Sequence, residues 1–371
     1  MFNIETIKTG IKRVWKIADI HLGIRNSSAE WIEIHREYFF NYFIPLLRKN
    51  MEEGDALFIL GDVNDNRQGI NIRVLTLLME IMEELSKTLP VYIIIGNHDM
   101  WQSRSTDINS LDHIKWVKHK YEIKVFTEPV IIETVGASYL MLPWNNDHND
   151  EKKWVEHFKG KVDNICAHTD FKGLMFNRHT MIQDGLDTSL TNGYEGVYSG
   201  HIHFAQDTGN VHMLGSICEF TRSDMGNTKR ALLYDCTTRE KRWFYNHYSP
   251  RFKKIMLVDL LSMTQSEADK FVNNNFVDVG ISSNRAFKSN MLNKLTQALH
   301  GYRRLEYKPM QEDSMEDKMH DHSVAAYSID ELINEAIEGQ KVSNEKKQRM
   351  RTTLMAIKNE CLESMKFNTE E

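Results

Sequence analysis

Residues 91–99 have the sequence VYIIIGNHD, an apolar run followed by a glycine and three polar residues. The apolar run favours a buried β-strand, and Gly96 permits a tight turn directly after it. Asn97 offers an amide oxygen and His98 an imidazole, and both groups bind divalent metals. Asp99 is predicted to orient His98 through a ring nitrogen. We interpret the segment as a strand that ends in a metal-binding or catalytic turn; the alternative is a polar surface turn.

Two earlier apolar runs end in similar groups. Residues 14–18 precede Asp19 and His21, whose spacing places both side chains on the same side of an extended backbone. Residues 56–60 precede Asp62, which would lie at the carboxyl end of a parallel strand, where α/β folds place their ligands. Each motif alone has another interpretation: a strand end at the surface for the first, and a helix N-cap for Asp62.

Two later strands complete the pattern. His168 follows the apolar run 165–167, and His201 and His203 follow a glycine at the end of another short strand. A lone histidine after a strand is more often structural, and a polar loop is the alternative for the histidine pair. Five strand ends that all carry metal-compatible groups are poorly explained by chance, so we treat them as one ligand set.

The order of the predicted elements indicates an α/β protein. Helical periodicity over residues 29–51 and 70–86 separates the first three strands, and this order favours a parallel sheet. The later strands are shorter and more closely spaced, which predicts a second, mixed sheet that includes residues 231–234 and 243–245. Two sheets face to face with outer helices give a four-layer α/β/β/α sandwich over residues 1–250.

The remaining chain predicts three further parts. Residues 251–310 alternate strands and helices and form a small α/β capping domain. Its basic residues predict a surface that contacts DNA phosphates, with a solvated face as the alternative; they are Lys253, Lys254, Lys288, Lys294, Arg303, Arg304 and Lys308. Residues 311–327 are polar and mostly acidic and form a linker. Residues 328–371 form a helical hairpin, because Ser328 begins a capping-box pattern and two stretches with one apolar face follow.

Composition excludes several classes of protein. The chain of 371 residues has a net charge of −6, whereas a protein that coats nucleic acid nonspecifically is usually basic. Its four cysteines form no CxxC pair, which argues against a zinc ribbon and fits a reducing compartment. We see no signal peptide, no apolar run of about 18 residues and no P-loop. We therefore expect a cytoplasmic protein (in the host cytoplasm or nucleoid if it is viral) without a membrane span or an ATPase site of its own.

Taken in order, the motifs D-x-H, G-D, G-N-H-D, H and G-H-x-H resemble those of the calcineurin-like metallophosphoesterase superfamily. Within it, the chain is similar to the SbcD-type nuclease subunit of DNA double-strand-break repair complexes, including the recombination nucleases of T4-like bacteriophages. The segments DIHLG at 19–23, LPW at 142–144 and YSGHIH at 198–203 support this resemblance.

The resemblance implies two divalent metal ions, with manganese preferred in the family, although carboxylate and imidazole ligands also permit iron or zinc. The ligands of one metal would be Asp19, His21, Asp62 and His203. The ligands of the other would be Asp62, Asn97, His168 and His201. Asp62 would bridge the two metals, and His98, paired with Asp99, would be the catalytic acid that protonates the leaving oxygen.

One position departs from the pattern of this type of nuclease, which commonly has a histidine three residues after the bridging aspartate. Here that residue is Asp65, and residues 61–67, GDVNDNR, partly resemble the GDxxDRG motif of protein serine/threonine phosphatases. The candidate substrate contacts are residues that follow the metal motifs, namely Arg25, Asp65, Arg67 and Arg104.

We therefore expect a two-metal phosphodiesterase, a DNA exonuclease or endonuclease of double-strand-break repair and recombination. The resemblance implies two further partners: an SbcC-type, SMC-like ATPase bound through the hairpin 328–371, and a second copy of the chain in a homodimer. The alternatives are a protein or small-molecule phosphatase of the same superfamily and a scaffold that has lost its metals. The complete ligand set argues against the scaffold, and the capping domain and hairpin argue against the phosphatase.

Overall fold

Strands in three sheets, with helices packed against them, make up the part of the chain that the structure describes. This structure is a computed structural model, and it describes residues 4–101, 108–117, 120–282, 289–310 and 348. The strands are β1 (Glu5–Lys8), β2 (Arg13–Ile17), β3 (Asp55–Leu60), β4 (Val91–Ile94), β5 (Ile123–Phe126), β6 (Val130–Glu133), β7 (Ser138–Leu142), β8 (Asn164–His168), β9 (Gly196–Gly200), β10 (Gln206–Thr208), β11 (Val211–Met213), β12 (Arg230–Asp235), β13 (Lys241–Tyr245), β14 (Phe252–Met256), β15 (Phe276–Ser282) and β16 (Arg304–Met310). The helices are α1 (Ile24–Ser27), α2 (Ala29–Glu37), α3 (Ile44–Asn50), α4 (Ile72–Ser86), α5 (His148–Phe158), α6 (Leu257–Ser262), α7 (Gln265–Val272) and α8 (Ser289–Ala298).

The first sheet has the strand order β13-β12-β2-β3-β4-β5. Strands β2 to β5 run parallel, and β12 lies antiparallel to both β2 and β13. Every residue of β3 and β4 is buried, as expected for parallel strands that are covered on both faces. The carboxyl ends of β2, β3 and β4 therefore lie side by side at one edge of the sheet.

The second sheet has the order β1-β6-β7-β8-β9-β11-β10 and is mixed, as predicted. Strands β7, β8, β9 and β11 are parallel, whereas β6 and β10 pair in the antiparallel sense with β7 and β11. Residue His168 at the end of β8 lies opposite Gly200 at the end of β9. This register places the two later histidine motifs next to each other.

An apolar layer between the two sheets holds the sandwich together. Val14 and Phe58 from the first sheet pack in one cluster with Tyr139 and Met141 from the second. On the outer faces, α2, α3 and α4 contribute to the core of the first sheet and α5 to that of the second. The predicted α/β/β/α order is therefore confirmed.

The helices on the first sheet follow the predicted periodicity. In α4 the buried residues recur every three or four positions, and Asn71 caps the helix by accepting a hydrogen bond from the Arg73 N–H. The predicted helix over 29–51 consists of α2, a π-helical turn at Tyr38–Phe43, and α3. The wider turn keeps both helical segments against the core, because three of its aromatic side chains are buried.

The assignment of β12 and β13 to the second sheet was wrong. The backbone of β12 pairs with β2, with Leu232 opposite Lys16, so the chain crosses back to the first sheet after β11. Leu232 belongs to the layer between the sheets, and Leu233 belongs to the outer core. Because both faces of β12 are buried, its apolar pattern does not indicate which sheet it joins.

A third sheet, β14-β15-β16, is fully parallel and carries α6, α7 and α8. It lies within residues 251–310, where alternating strands and helices were predicted. The ring of Trp31 on α2 stacks on Phe276 of β15 at a centroid distance of 5.5 Å. This contact and an ion pair between Glu37 and Arg303 attach the third sheet beside α2. The division of the chain at residue 250 stays a prediction.

Almost all described residues lie in one compact unit, Met1–Met319. The predicted linker at 311–327 and the hairpin at 328–371 lie outside the described residues, apart from Gln348. Within the described ranges, no helix combines the length and the apolar character that crossing a membrane requires.

Lys16 is a buried cation in the layer between the sheets. Its ammonium lies 4.2 Å from the ring centre of Tyr198, 4.6 Å from that of Tyr234 and 5.0 Å from that of Tyr139. Among the described residues, no acceptor forms a hydrogen bond with its Nζ. Burial lowers the pKa of Lys16 to about 8, so folding favours the neutral amine.

We predict that Lys16→Met stabilises the protein at pH 7, by about 2 kcal/mol more than at pH 10. The lowered pKa means that stability contributed by this group rises with pH between about 8 and 10.5, where only the unfolded chain keeps the proton. Urea unfolding at both pH values measures the difference. Lys12→Met, at an exposed position, is the control and should show no such difference. A loss of stability in Lys16→Met at pH 7 would mean that the tyrosine rings outweigh the cost of burial.

Candidate metal centre

The ends of five strands from two sheets meet at one edge of the sandwich. Asp19 and Asp62 follow β2 and β3 of the first sheet by one or two residues, and His168 ends β8 of the second. The backbone joins these ends, since the Asp19 N–H donates to the Gly61 carbonyl and the His21 N–H donates to the Asp62 carbonyl. The structure thus brings all seven predicted ligands together, in a region where most of them are buried.

The first cluster contains Asp19, His21 and His203, whose ligand atoms lie within 4.8 Å of one another. Nε2 of His21 lies 2.9 Å from Nε2 of His203 and 3.5 Å from Oδ2 of Asp62. Asp19 accepts the backbone N–H of His201 through Oδ1, whereas its buried Oδ2 has no hydrogen-bond partner among the described residues. A carboxylate oxygen and two imidazole nitrogens therefore converge at one position.

The second cluster contains Asp62, His168, His201 and the amide of Asn97. Nε2 of His168 lies 3.3 Å from Oδ2 of Asp62 and 3.1 Å from Oδ1 of Asn97. Nδ1 of His201 lies 3.0 Å from the same Asn97 oxygen. Oδ2 of Asp62 thus faces both clusters, while its Oδ1 accepts the N–H of His98 at 2.8 Å. This is the position expected of a bridging ligand.

The outer partners of the histidines show which nitrogen atoms face the clusters as lone pairs. Nδ1 of His168 lies 2.7 Å from the Leu60 carbonyl, and Nδ1 of His21 lies 3.1 Å from Oδ1 of Asp65. A neutral imidazole that donates through Nδ1 has a lone pair on Nε2. In that neutral form both Nε2 atoms offer lone pairs to a divalent cation, whereas in the protonated form each would donate to Oδ2 of Asp62. The donor set fits two divalent metal ions.

The charges of the centre also suit metal binding. Burial by itself would raise the pKa of Asp62, but the nearby imidazoles, His168 foremost, hold that pKa well below its ordinary value. Burial, together with the adjacent His21, lowers the pKa of His203 well below its ordinary value. Metals bind ionised carboxylates and neutral imidazoles, so these two groups are in their binding forms at neutral pH. Burial favours the neutral ring of His168, but the nearby carboxylates, Asp62 foremost, raise its pKa to about 9, so a metal would have to displace a proton there.

The backbone is strained at the ligands. Asp19, His21, Asp62 and His201 have φ angles of 51°, 50°, 53° and 81°, in the left-handed region that non-glycine residues rarely adopt. Such conformations cost about 1–3 kcal/mol each and persist where the surrounding structure holds them. Four of the seven predicted ligands therefore have unfavourable backbone angles, which the surrounding structure maintains and which direct these side chains inward.

Asp99 has a different role from the one predicted. Its carboxylate accepts the backbone N–H groups of Gly96, Val63 and Asn64 at 2.9, 3.3 and 2.9 Å. It therefore ties the turn after β4 to the turn after β3, and the two turns hold Asn97 and Asp62 in register. Burial and then the nearby Asp62 raise the pKa of Asp99 to about 6.

The partner of His98 is Asp65. Nδ1 of His98 lies 2.7 Å from the backbone carbonyl of Asp65, and the Asp65 carboxylate lies 3.1 Å from Nδ1 of His21. One residue thus orients a predicted metal ligand with its side chain and the predicted acid with its backbone. With Nδ1 as the donor, Nε2 is the atom of His98 through which a proton would pass. Burial lowers the pKa of His98, which favours release of such a proton.

Sequence reasoning missed several residues that support the ligands. Oδ1 of Asp170 lies 3.3 Å from Nε2 of His201, and the ring of Trp144 lies 4.6 Å from the His201 ring. Buried His35 places its ring nitrogens 2.7 Å from the carbonyls of Trp31 and Ile20, which fixes the loop between Asp19 and His21. No local sequence motif identifies these residues as supports of the ligands. The exception is Asp170, whose position two residues after the predicted ligand His168 could have indicated it.

The structure describes three of the four candidate substrate contacts. Arg25 is exposed and donates to the carbonyl of Phe220, whose ring packs edge-on against His21. Arg67 lies beside Asn97, and Arg104 lies outside the described residues. In the third sheet, Arg303 and Arg304 form ion pairs with Glu37 and Glu30 of α2.

Comparison with known proteins agrees with this centre. The sequence model of the calcineurin-like phosphoesterase family matches residues 12–205, more than half of the chain. Exonuclease subunit 1 of Enterobacteria phage T4 is 25% identical over 239 residues, which are 63% of this chain and 68% of that protein. Both findings agree with the family resemblance of the motifs.

Two solved structures show weak overall likeness. An archaeal phosphodiesterase is 12% identical, with a TM-score of 0.32, over 63% of this chain and 99% of its own. A protein of unknown function from Aquifex aeolicus is 20% identical, with a TM-score of 0.25, over 45% of this chain and 81% of its own.

We predict that Gly96→Ala weakens Mn²⁺ binding at least about tenfold and lowers stability by about 1–3 kcal/mol. A Cβ at residue 96 would lie 2.2 Å from Oδ1 of Asp62 and 2.4 Å from its backbone nitrogen, so the bridging ligand would have to move. Calorimetric titration with Mn²⁺ and thermal unfolding measure the two effects. Gly10→Ala is the control, because a Cβ there meets nothing within 4 Å. Equal metal affinity in Gly96→Ala and wild type would show that Asp62 needs no such close approach.

We also predict that Asp65→Asn weakens Mn²⁺ binding by about 10-fold to 100-fold, the usual effect of losing a partner behind a metal ligand. The amide keeps the shape of the side chain but removes the charge that orients His21. Titration with Mn²⁺ measures the affinity, and Asp112→Asn on an unrelated turn serves as the matched control. Unchanged affinity in Asp65→Asn would assign the contact no role in metal binding.

Proposed function

This chain belongs to the calcineurin-like phosphoesterase family, and we propose that it is a metal-dependent DNA nuclease of double-strand-break repair and recombination. The observation that carries the proposal is the pair of donor clusters that share Asp62, with His98 held beside them. The similarity to a phage exonuclease subunit supports DNA as the substrate. Both exonuclease and endonuclease activity fit this chemistry.

Each protein group has a definite part in the proposed hydrolysis. Two divalent cations, when bound, would polarise the phosphodiester and activate water for attack. The residues that would hold one cation are Asp19, His21, Asp62 and His203. The residues that would hold the other are Asp62, Asn97, His168 and His201. We propose manganese as the metal.

His98 would serve the departing oxygen. Its Nδ1 lies 2.7 Å from the Asp65 carbonyl, which sets the ring orientation, and a nitrogen of the ring lies within 4.8 Å of the His21 and Asp62 ligand atoms. A positioned imidazole that gives a proton to the leaving alkoxide contributes about 10²- to 10⁴-fold to such a reaction.

The proposed partners follow from the family. We infer that residues 328–371 bind an SbcC-type ATPase, that a second copy of the chain completes a homodimer, and that the protein acts where its DNA is, in the cytoplasm or nucleoid. The paired arginines of the third sheet lead us to place the main DNA contacts at the metal edge instead.

A phosphatase is the second candidate, and the segment GDVNDNR favours it to a degree. Asp65 in this segment contacts both His21 and His98, so the feature shared with phosphatase motifs lies inside the centre. Substrate choice therefore has to be decided by experiment.

We predict that the full-length protein shortens end-labelled duplex DNA in the presence of Mn²⁺ and that EDTA stops the reaction. Asp62→Ala should reduce cleavage to background, because both cations lose a ligand, and His98→Ala should slow it by about 10²- to 10⁴-fold. His157→Ala, at an exposed position of α5, is the histidine control. Full activity of Asp62→Ala would contradict the two-metal mechanism. A wild type inert on all DNA but active on a phosphopeptide would identify a phosphatase.

A further inference from the structure

The side-chain amide of Asn97 lies between the second donor cluster and the guanidinium of Arg67. In one orientation its Oδ1 faces Nε2 of His168 and Nδ1 of His201, at 3.1 and 3.0 Å. Its Nδ2 then points at Nη2 of Arg67, 2.7 Å away. Two N–H donors at this distance repel each other, so this orientation and the present position of Arg67 are incompatible.

A half-turn of the amide resolves the conflict. Nδ2 then lies 3.0, 3.1 and 3.2 Å from three groups that can accept its two N–H bonds, namely His201, His168 and Asp62, and Oδ1 accepts a hydrogen bond from Nη2 of Arg67 at 2.7 Å. The same rotation directs N–H groups, which cannot bind a cation, toward the ligand cluster. A cation and Arg67 therefore compete for one oxygen atom of Asn97.

Arg67 itself is incompletely satisfied. Its Nε is buried and has no hydrogen-bond partner among the described residues. The guanidinium also lies near His98: burial is the main cause of the lowered pKa of His98, and the charge of Arg67 adds to it. A planar fork of donors beside the predicted acid matches the oxygen atoms of a phosphate group.

We propose that Arg67 is a phosphate-binding residue that Asn97 holds in place until a metal ion binds. Occupation of the second cluster turns the Asn97 oxygen toward the cation and breaks its hydrogen bond with Arg67. The guanidinium then moves from Asn97 to the phosphate of the substrate. The inference rests on the proposed phosphodiester substrate for its second half only; the competition between metal and Arg67 does not depend on it.

Two consequences follow by linkage. Without substrate, the Arg67 hydrogen bond opposes metal binding, so its removal strengthens metal binding. With substrate, metal and phosphate binding support each other, because each one favours the same orientation of Asn97. A purely structural arginine would have the opposite first effect, since its loss would loosen the centre and weaken metal binding.

The test of the first half is titration of the DNA-free full-length protein with Mn²⁺ by calorimetry. Arg67→Met removes both the hydrogen bond and the charge and should bind Mn²⁺ about 10-fold more tightly than wild type, the fold-change that a charged hydrogen bond commonly accounts for. Arg25→Met removes a nearby charge without a contact to Asn97, since Arg25 donates to Phe220. Arg25→Met should strengthen Mn²⁺ binding by less than about 2-fold, because water screens the repulsion between an exposed positive charge and the metal ion.

Weaker or unchanged Mn²⁺ binding by Arg67→Met, or a gain equal to that of Arg25→Met, would overturn the competition. Thermal unfolding of the metal-free variants shows whether Arg67→Met folds. If it does not, Arg67→Gln, which keeps a shorter polar side chain, replaces it under the same criteria.

The second half is tested by fluorescence anisotropy with a labelled duplex in the His98→Ala background, in which the DNA stays intact during the measurement. Mn²⁺ should strengthen DNA binding in this protein, and the additional Arg67→Met change should reduce that gain by about 10-fold. An undiminished gain would exclude Arg67 as a phosphate ligand. If wild type binds no DNA at all, the proposed nuclease function fails, whereas the calorimetric result still decides whether Arg67 and the metal compete.

Discussion

The convergence of carboxylate and imidazole groups in a buried centre is the constraint on which this structure depends. Oδ2 of Asp19 is buried without a hydrogen-bond partner among the described residues, and Nε2 of His21 lies 2.9 Å from Nε2 of His203 and 3.5 Å from Oδ2 of Asp62. Buried acceptors without donors destabilise a fold, and cations placed among them reverse the sign of the interaction. The same ions that would drive the chemistry are thus expected to stabilise the native state, by an amount that grows with the logarithm of the free ion concentration above the Kd.

The arrangement of the two sheets places these side chains close together. Parallel strands of two sheets end at one edge, where the contact of His168 with the Leu60 carbonyl and the hydrogen bond from His201 N–H to Asp19 join the two sheets. Glycines leave room for the close approaches: a Cβ on Gly200 would meet the Leu60 carbonyl at 2.2 Å. The positive φ angles of four ligands are kept because neighbouring turns share hydrogen bonds, such as those that Asp99 accepts from Gly96 and Asn64. Local strain is therefore held by non-local pairing.

The loop after Asp62 connects the metal ligands with the substrate side. Asp65 contacts His21 through its carboxylate and His98 through its carbonyl, and Arg67 reaches Asn97 in the next turn. A change in either donor cluster therefore alters the contacts of the residues in this loop. Where related nucleases commonly have a histidine, this chain has an acidic residue that supports two histidines at once. The replacement alters the surroundings of the ligands and leaves the ligand set itself complete.

The sequence alone predicted which residues could be ligands and which strands they follow, because strand-forming runs, turn glycines and donor atoms are local properties. It also indicated the layer order and the third sheet. Only the tertiary structure decided that β12 joins the first sheet, since both of its faces are apolar and the pattern is the same in either sheet. It likewise decided that Asp99 binds backbone N–H groups instead of His98, and that Asp170 supports His201. The physical reason is that a hydrogen-bond partner is set by whichever group the fold brings within about 3 Å, and that group is often remote in the chain.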